Sequence, residues 1–425
     1  MIDMKEIETS EFENEVLKSG KVVLDFYSSE CPPCEALAPK FESLAKLYGE
    51  DIKFLKIFRQ KNRELADQLG VKSSPTLLFY DNGKEVGEVL TGGIKRKDII
   101  KNLNLLLPVE KVALITQKIK PTVSEYDVMI LGAGPGGLTA GLYLCQAKVN
   151  TVLIDIALPG GHVATTHEVS NYPGFIEPQA GYMLSHNMSE QTKLCGTAYK
   201  VAVDVSSVDL DKREIILDEF ETVKAKKIII ATGTSPNLMG IAGERELKGK
   251  GISYCATCDA KYYGDKEVVV IGGGNSAVEE ADFISKFASK ITMVHQFDAF
   301  TANKTAVEKL NANPKISALL EHEPRSFKRD GDKIITEVED LKTNTIKTLV
   351  SDGVFIFIGM KPNVQLFKDK LTLDQWGYIK TDDDMRTSLP NVFAVGDVIS
   401  KKYRQITTAV ADGTIAAMAI AKELD

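Results

Sequence analysis

The sequence predicts an α/β protein in three consecutive blocks: a small β-α-β-α-β-β-α domain, a connector, and a long region carrying two nucleotide-binding units. Three observations predict it. Short continuous apolar runs alternate with amphipathic stretches over the first hundred residues. Two glycine-rich turns, at 132–137 and 272–277, each stand between an apolar strand and a helix. The length of 425 residues leaves room for two to four domains at about 150 residues each.

In the first block (residues 1–107), KVVLDFYSS (21–29) reads as a buried strand, and Cys31-Pro-Pro-Cys34 follows at once. Leu37, Phe41, Leu44 and Tyr48 then recur at helical spacing. KFLKIF (53–58) is a second strand, and NRELADQLG (62–70) a short helix with Asn62 as cap and Gly70 as stop. PTLLFY and KEVGEV flank Asp81-Asn82-Gly83 as a hairpin would, and KRKDIIKNLNLLL closes the block as a helix. Residues 108–123, bounded by prolines and free of glycine, read as a connector, helical in part. Beyond it, DVMILGAGPGGLTAGLYL and EVVVIGGGNSAVEEADFI repeat one design: strand, glycine turn, helix.

Composition narrows the function. Fifty-two Lys and Arg against 59 Asp and Glu give a net charge of −7, which argues against nucleic acid or an anionic membrane as partner. The first twenty residues lack the apolar run of a signal peptide, and no stretch reaches membrane-helix length, so a soluble cytoplasmic protein is expected. Six cysteines are too few for a disulfide scaffold. Four form two pairs, Cys31/Cys34 and Cys255/Cys258, more than 200 residues apart, too far for a zinc ribbon. No metal site is expected, and thiol–disulfide exchange is the leading reading of each pair. The acid Asp259 directly follows the second pair.

Gly132-Ala-Gly134-Pro-Gly136-Gly137 fits G-x-G-x-x-G, and Asp155 stands where an acid would hold a ribose hydroxyl. Gly272-Gly273-Gly274-Asn275-Ser276-Ala277 fits G-x-G-x-x-A, with a following strand that ends in His295 and Gln296.

Residues 125–425 resemble the low-molecular-weight thioredoxin reductases. GAGPGG, the glycine pair near 160, Asn171-Tyr-Pro-Gly, ATG (231–233), CATCD (255–259), GGGNSAVEEA, AVGD (394–397) and Tyr403-Arg404-Gln405 carry the resemblance. Residues 1–107 resemble thioredoxin, through LDF before the CxxC and Ser74-Pro75-Thr76 after it. The resemblance implies a fusion: a thioredoxin fold followed by two Rossmann-like domains, the first of them discontinuous. An FAD domain would span 124–238 and 363–425, and a pyridine-nucleotide domain 239–362. It assigns to FAD Gly132, Gly134, Gly136, Gly137, Asp155, Gly161, His162, Asn171, Gly233, Gly396, Asp397, Arg404, Gln405 and Ile406. To the nicotinamide nucleotide it assigns Gly272, Gly274, Asn275, Ser276, Ala277, His295 and Gln296.

Electrons would then pass from the nicotinamide through FAD to Cys258 and Cys255, with Asp259 handling the proton, and on to Cys31 and Cys34. Cys31 is the expected nucleophile at a helix start and Cys34 the resolving thiol. Asp25 is the expected buried base, with Lys56 as its partner, and Pro75 matches a cis-proline beside the docking groove. The family also implies rotation of one domain between hydride transfer and thiol exit, and a homodimer.

Four departures stand out. Glu30-Cys31-Pro-Pro-Cys34 replaces Trp-Cys-Gly-Pro-Cys, His162 replaces a glutamine, and Ile406 replaces an alanine. The arginine-rich element that grips the 2′-phosphate of NADPH reads His295-Gln-Phe-Asp-Ala-Phe-Thr301, which favours NADH over NADPH. Protein disulfides are the expected partners. The residues leave two alternatives open: a peroxiredoxin-reducing flavoenzyme of the alkyl hydroperoxide reductase type, and a reductase fed by ferredoxin or a deazaflavin.

Overall fold

The computed structural model describes residues 4–166, 169 and 171–424, without the side chains of Thr257 and Cys258. The N-terminal sheet centres on β1 (Lys21–Tyr27), whose interior residues are buried as its apolar run demands. It pairs parallel to β2 (Lys53–Phe58) and antiparallel to β3 (Thr76–Asp81). Asn82 and Gly83 adopt positive φ and return the chain into the short strand Lys84–Glu85, so the hairpin forms, though only two residues deep. Helix α1 (Pro32–Tyr48) lays Leu37, Phe41, Leu44 and Tyr48 on one face of the sheet.

Asn62 does precede the helix Arg63–Gln68, but its side chain does not cap it. The amide oxygen accepts instead from the Thr9 N–H (2.8 Å) and hydroxyl (2.7 Å), tying the N-terminal segment to the domain.

The connector is largely a helix, α2 (Val109–Lys118), docked on the N-terminal domain. Ile115 is 2% exposed within that domain's core, and Lys111 and Lys118 pair with Asp51 and Glu50. Only residues 119–121 separate this helix from strand β4 (Thr122–Leu131).

Strand β4 lies parallel between β5 (Thr151–Asp155) and β6 (Glu221–Ile230), with the late strand β7 (Val392–Ala394) beside β6. The chain therefore leaves this sheet and returns to it. The excursion builds a second parallel sheet around β8 (Glu267–Ile271), flanked by β9 (Lys290–His295) and β10 (Gly353–Ile356). Both crossings lie side by side, where Thr234–Pro236 pairs antiparallel with Met360–Pro362. Among the described residues no helix is long and apolar enough to cross a membrane.

Candidate active site

The first glycine turn sits at the end of β4. Gly132 has φ 113°, and a Cβ there would meet the Ala231 carbonyl at 2.2 Å. At Gly137 a Cβ would lie 2.0 Å from the Gly132 carbonyl, so only bare backbone lets the helix Pro135–Gln146 start this close to the strand. The Cβ side of Gly134 is open, and Gly136 and Gly161 pack around the same turn. That leaves N–H groups and a helix N-terminus facing the space a pyrophosphate would take. Asp155, at the end of β5, accepts from the Ala133 N–H (2.6 Å) and the Ala157 N–H (2.8 Å); burial outweighs both bonds and pushes its carboxyl up.

The far end of this cradle is assembled from distant segments. The Asn171 amide donates to Gln405 (3.1 Å), and the His162 ring meets the Thr234 carbonyl at 2.9 Å. Arg404 stacks on Tyr378 at 3.8 Å and donates to the Asp397 carbonyl, while Ile406 packs with Tyr172 against Val163 and Leu184. Gly233 and Gly396 both take positive φ. One Asp397 carboxylate oxygen is buried without a hydrogen-bond partner, its nearest cation, Lys401, lying 3.7 Å away. Burial raises this carboxyl, and an orphaned acceptor of this kind fits a sugar hydroxyl. The residues present fit FAD: a cradle for its pyrophosphate, an acid for its ribose, and a free acceptor for its ribityl chain.

The second glycine turn opens on a cleft of about 730 Å³, lined by Gly272–Ala277, Gln296, Thr301 and Arg325 among others. His295 lies flat under it, and a Cβ at Gly273 would touch the ring at 2.5 Å. The imidazole stacks on Phe300, and burial holds it below its usual range, hence neutral near pH 7. Arg325 enters from the strand His322–Asp330, paired with Glu323 (2.8 Å) and Glu339 (2.6 Å). No sequence motif marked it, because it comes from another strand. The shape fits a nicotinamide nucleotide.

The thiols occupy two places. Cys255 is disulfide-bonded and its sulfur lies 3.8 Å from the Thr165 carbonyl, in the turn that follows Gly160-Gly161. The short helix Ala256–Asp259 thus starts beside the turn that follows the first glycine cradle; the side chain of Cys258 lies outside the described residues. In the N-terminal domain, Cys31 and Cys34 form a disulfide at the start of α1, with Cα atoms 5.2 Å apart. The Cys31 sulfur accepts from the Cys34 N–H and faces the Ser74 carbonyl at 3.5 Å, and the Ser74–Pro75 bond is cis. Asp25 is 3% exposed; burial raises its carboxyl to about 7, against the field of Lys56. The ammonium of Lys56 sits over the Tyr27 ring, 4.6 Å from its centre, so its action on Asp25 is through space.

The model of the pyridine nucleotide-disulphide oxidoreductases matches residues 126–413, and that of thioredoxin residues 3–105. A thioredoxin reductase of Peptoclostridium acidaminophilum is 45% identical over 299 residues, 69% of this chain and 95% of the relative. The chain belongs to the thioredoxin reductases of this family. A second relative, the thioredoxin reductase of Peptoclostridium litorale, is 43% identical over 71% of this chain and 97% of its own length. Among solved structures, Lactococcus lactis thioredoxin reductase superposes with a TM-score of 0.65 at 37% identity, over 70% of this chain and 98% of that one. That of T. acidophilum gives 0.65 at 32% identity, over 71% and 99%. This chain is thus an FAD-dependent disulfide reductase that uses a nicotinamide cofactor, joined to a thioredoxin domain, with protein disulfides as substrates.

Two cysteines carried no motif, and the fold brings them together. The Cys145 thiol donates to the Cys195 carbonyl at 2.7 Å, and the Cys195 thiol is raised chiefly by its hydrogen bond with Cys145. Fifty residues of sequence hide that proximity.

Proposed function

We propose that this reductase draws on NADH in preference to NADPH and reduces the disulfide of its own thioredoxin domain, which passes the electrons on to other proteins. The charge of the second cleft carries the donor reading. Where a 2′-phosphate clamp would stand, the chain offers a neutral His295, Gln296, the carboxylate of Asp298, and Thr301, whose N–H is already given to Gly273 (2.9 Å). Among the described residues lining the cleft, the guanidinium is that of Arg325, neutralised by two carboxylates. A dianionic phosphate thus loses its charge-assisted bonds, each worth about 1.5–3 kcal/mol.

FAD, when bound, accepts a hydride from the nicotinamide and delivers two electrons to a disulfide. Cys258 then serves as the thiol nearest the flavin and Cys255 as the exchanging thiol, with Asp259 as proton handler. Cys31 attacks the target disulfide, and Cys34 releases it with Asp25 as base. The paired segments Thr234–Pro236 and Met360–Pro362 form the hinge between an FAD domain (124–238 with 363–425) and a nicotinamide domain (239–362), letting Cys255 leave Thr165. Tyr182, Met183, Leu194 and Met418 are exposed apolar side chains on the helices Gly181–Cys195 and Ile406–Leu424, which supports a homodimer through these faces.

The test is anaerobic bleaching of the flavin band. NADH is expected to bleach it at least tenfold faster than NADPH at equal concentration. The reverse order would overturn the donor reading and point to Arg325 as a phosphate clamp released from its carboxylates. Bleaching by neither would redirect the search to ferredoxin or a deazaflavin. Faster turnover with a peroxiredoxin than with insulin would shift the acceptor to the alkyl hydroperoxide reductase type.

A further inference from the structure

The thioredoxin domain meets the FAD domain through a specific charged interface. At its centre is Lys40 on α1, a residue only 9% exposed. It donates to the carbonyl of Ile94 within its own domain (3.1 Å), and to those of Val201 (3.0 Å) and Ala202 (2.6 Å) in the FAD domain. Three acceptors for three N–H bonds satisfy a buried amine in full. Around it, Lys95 and Lys97 both reach Asp204 at 3.0 Å, and Glu35, the residue after Cys34, pairs with Lys193. Arg96, also buried, lies over the Phe220 ring at 4.8 Å.

These contacts cover the loops beside the disulfide. Gly92 donates to the Pro75 carbonyl, and a Cβ at Gly93 would lie 3.5 Å from Leu158 of the FAD domain. The Cys31 sulfur faces Ser74, one residue from Pro75, and Cys31 itself is only 8% exposed. The surface around Cys31 is the one a protein disulfide has to reach, and here its border, at Glu35 and Gly93, lies against the chain's own FAD domain. The tether fits a pivot rather than a long arm: residues 119–121 between α2 and β4 span at most about 13 Å over four steps of roughly 3.3 Å.

We propose that this interface is a resting dock in which the FAD domain caps the carrier's recognition surface. Foreign disulfide proteins reach Cys31 only after Lys40, Lys95 and Lys97 leave residues 201–204. This rests on the reading of Cys31 and Cys34 as the carrier pair. The ionic part of the dock is solvent-facing, so salt loosens it, the screening length being about 10 Å at 0.1 M.

The experiment uses the full chain with dithiothreitol as reductant and insulin as substrate, which loads Cys31–Cys34 without the flavin. Asp204→Lys turns both lysine contacts repulsive, Asp204→Asn removes them mildly, and Lys40→Met empties the centre. Insulin reduction at low salt is expected to rise about three- to tenfold in Asp204→Lys, as two surface ion pairs allow, and less in Asp204→Asn. Wild type in 0.5 M salt should approach the variants, and the radius of gyration by X-ray scattering should grow in step. Equal rates for wild type and both Asp204 variants at low and high salt would overturn the dock while leaving the carrier reading intact. No acceleration of insulin reduction by any form over dithiothreitol alone would overturn the carrier reading and the dock with it.

Discussion

Replacing Asp25 by Asn isolates the energetic consequence of burying one carboxylate under the Cys31–Cys34 pair. Its carboxyl lies at about 7 in the fold against an ordinary 3.8, with burial as the leading cause and Lys56 opposing it. A raised acid binds more protons folded than unfolded, so its stabilisation is present below about pH 4 and is lost as pH climbs to about 7. At about 1.36 kcal/mol per unit, the charged form costs the fold up to ~4 kcal/mol at pH 8. Asparagine removes the charge but leaves a buried amide short of partners, which costs about 1–3 kcal/mol, since one Asp25 oxygen already lacks a bond. The net expectation is ~1–3 kcal/mol of stabilisation at pH 8 that turns into ~1–3 kcal/mol of destabilisation near pH 4, where the charge cost is gone and the amide penalty stays. The assay is hydrogen exchange of the amides of β1 by mass spectrometry in the full-length protein, compared at pH 5 and pH 8 after correction for intrinsic rates. The variant should be roughly tenfold or more better protected at pH 8, yet slower in passing electrons to insulin. Equal or poorer protection at pH 8 would refute the argument that burial, rather than an undetected partner, sets this carboxyl.

Two further outcomes follow from the nucleotide sites. Gln296→Arg should restore one guanidinium beside the cleft and lower the KM for NADPH about tenfold, with little change for NADH, read in steady-state kinetics. Asp397→Asn should weaken FAD retention by about 1–3 kcal/mol, measured as flavin lost on gel filtration, because a carboxylate acceptor for a hydroxyl becomes a neutral amide.

Much of this was legible in the sequence because the informative signals were local. The two glycine turns, each with its strand and helix, and Cys31-Pro-Pro-Cys34 at the start of α1 lie within short windows where steric need fixes residue type. What the sequence hid depends on contacts across long separations. The connector VEKVALITQK carries a helical apolar pattern, but that Ile115 would bury itself in the thioredoxin core is decided by Asp51, Glu50 and the face of α1. Asn62 looked like a cap and was drawn off by Thr9, fifty-three residues earlier. Arg325 reaches the nucleotide cleft from a strand that carries no motif, and Lys40, an ordinary helix lysine by sequence, gains its role from carbonyls at 201 and 202. The missing arginines at 296–301 were readable at once, since an absence within a motif needs no tertiary contact to be seen.

The relay from the reductase thiols to the tethered carrier is tested most directly by trapping it. In a chain carrying Cys34→Ser and Cys258→Ser, the two resolving thiols are gone, so an encounter of Cys31 with Cys255 becomes a stable mixed disulfide under mild oxidation. Non-reducing peptide mapping should find Cys31 joined to Cys255 as the main cross-link, within one subunit or across a dimer. Cys31 recovered unlinked to Cys255, while both thiols remain free to alkylation, would contradict the account.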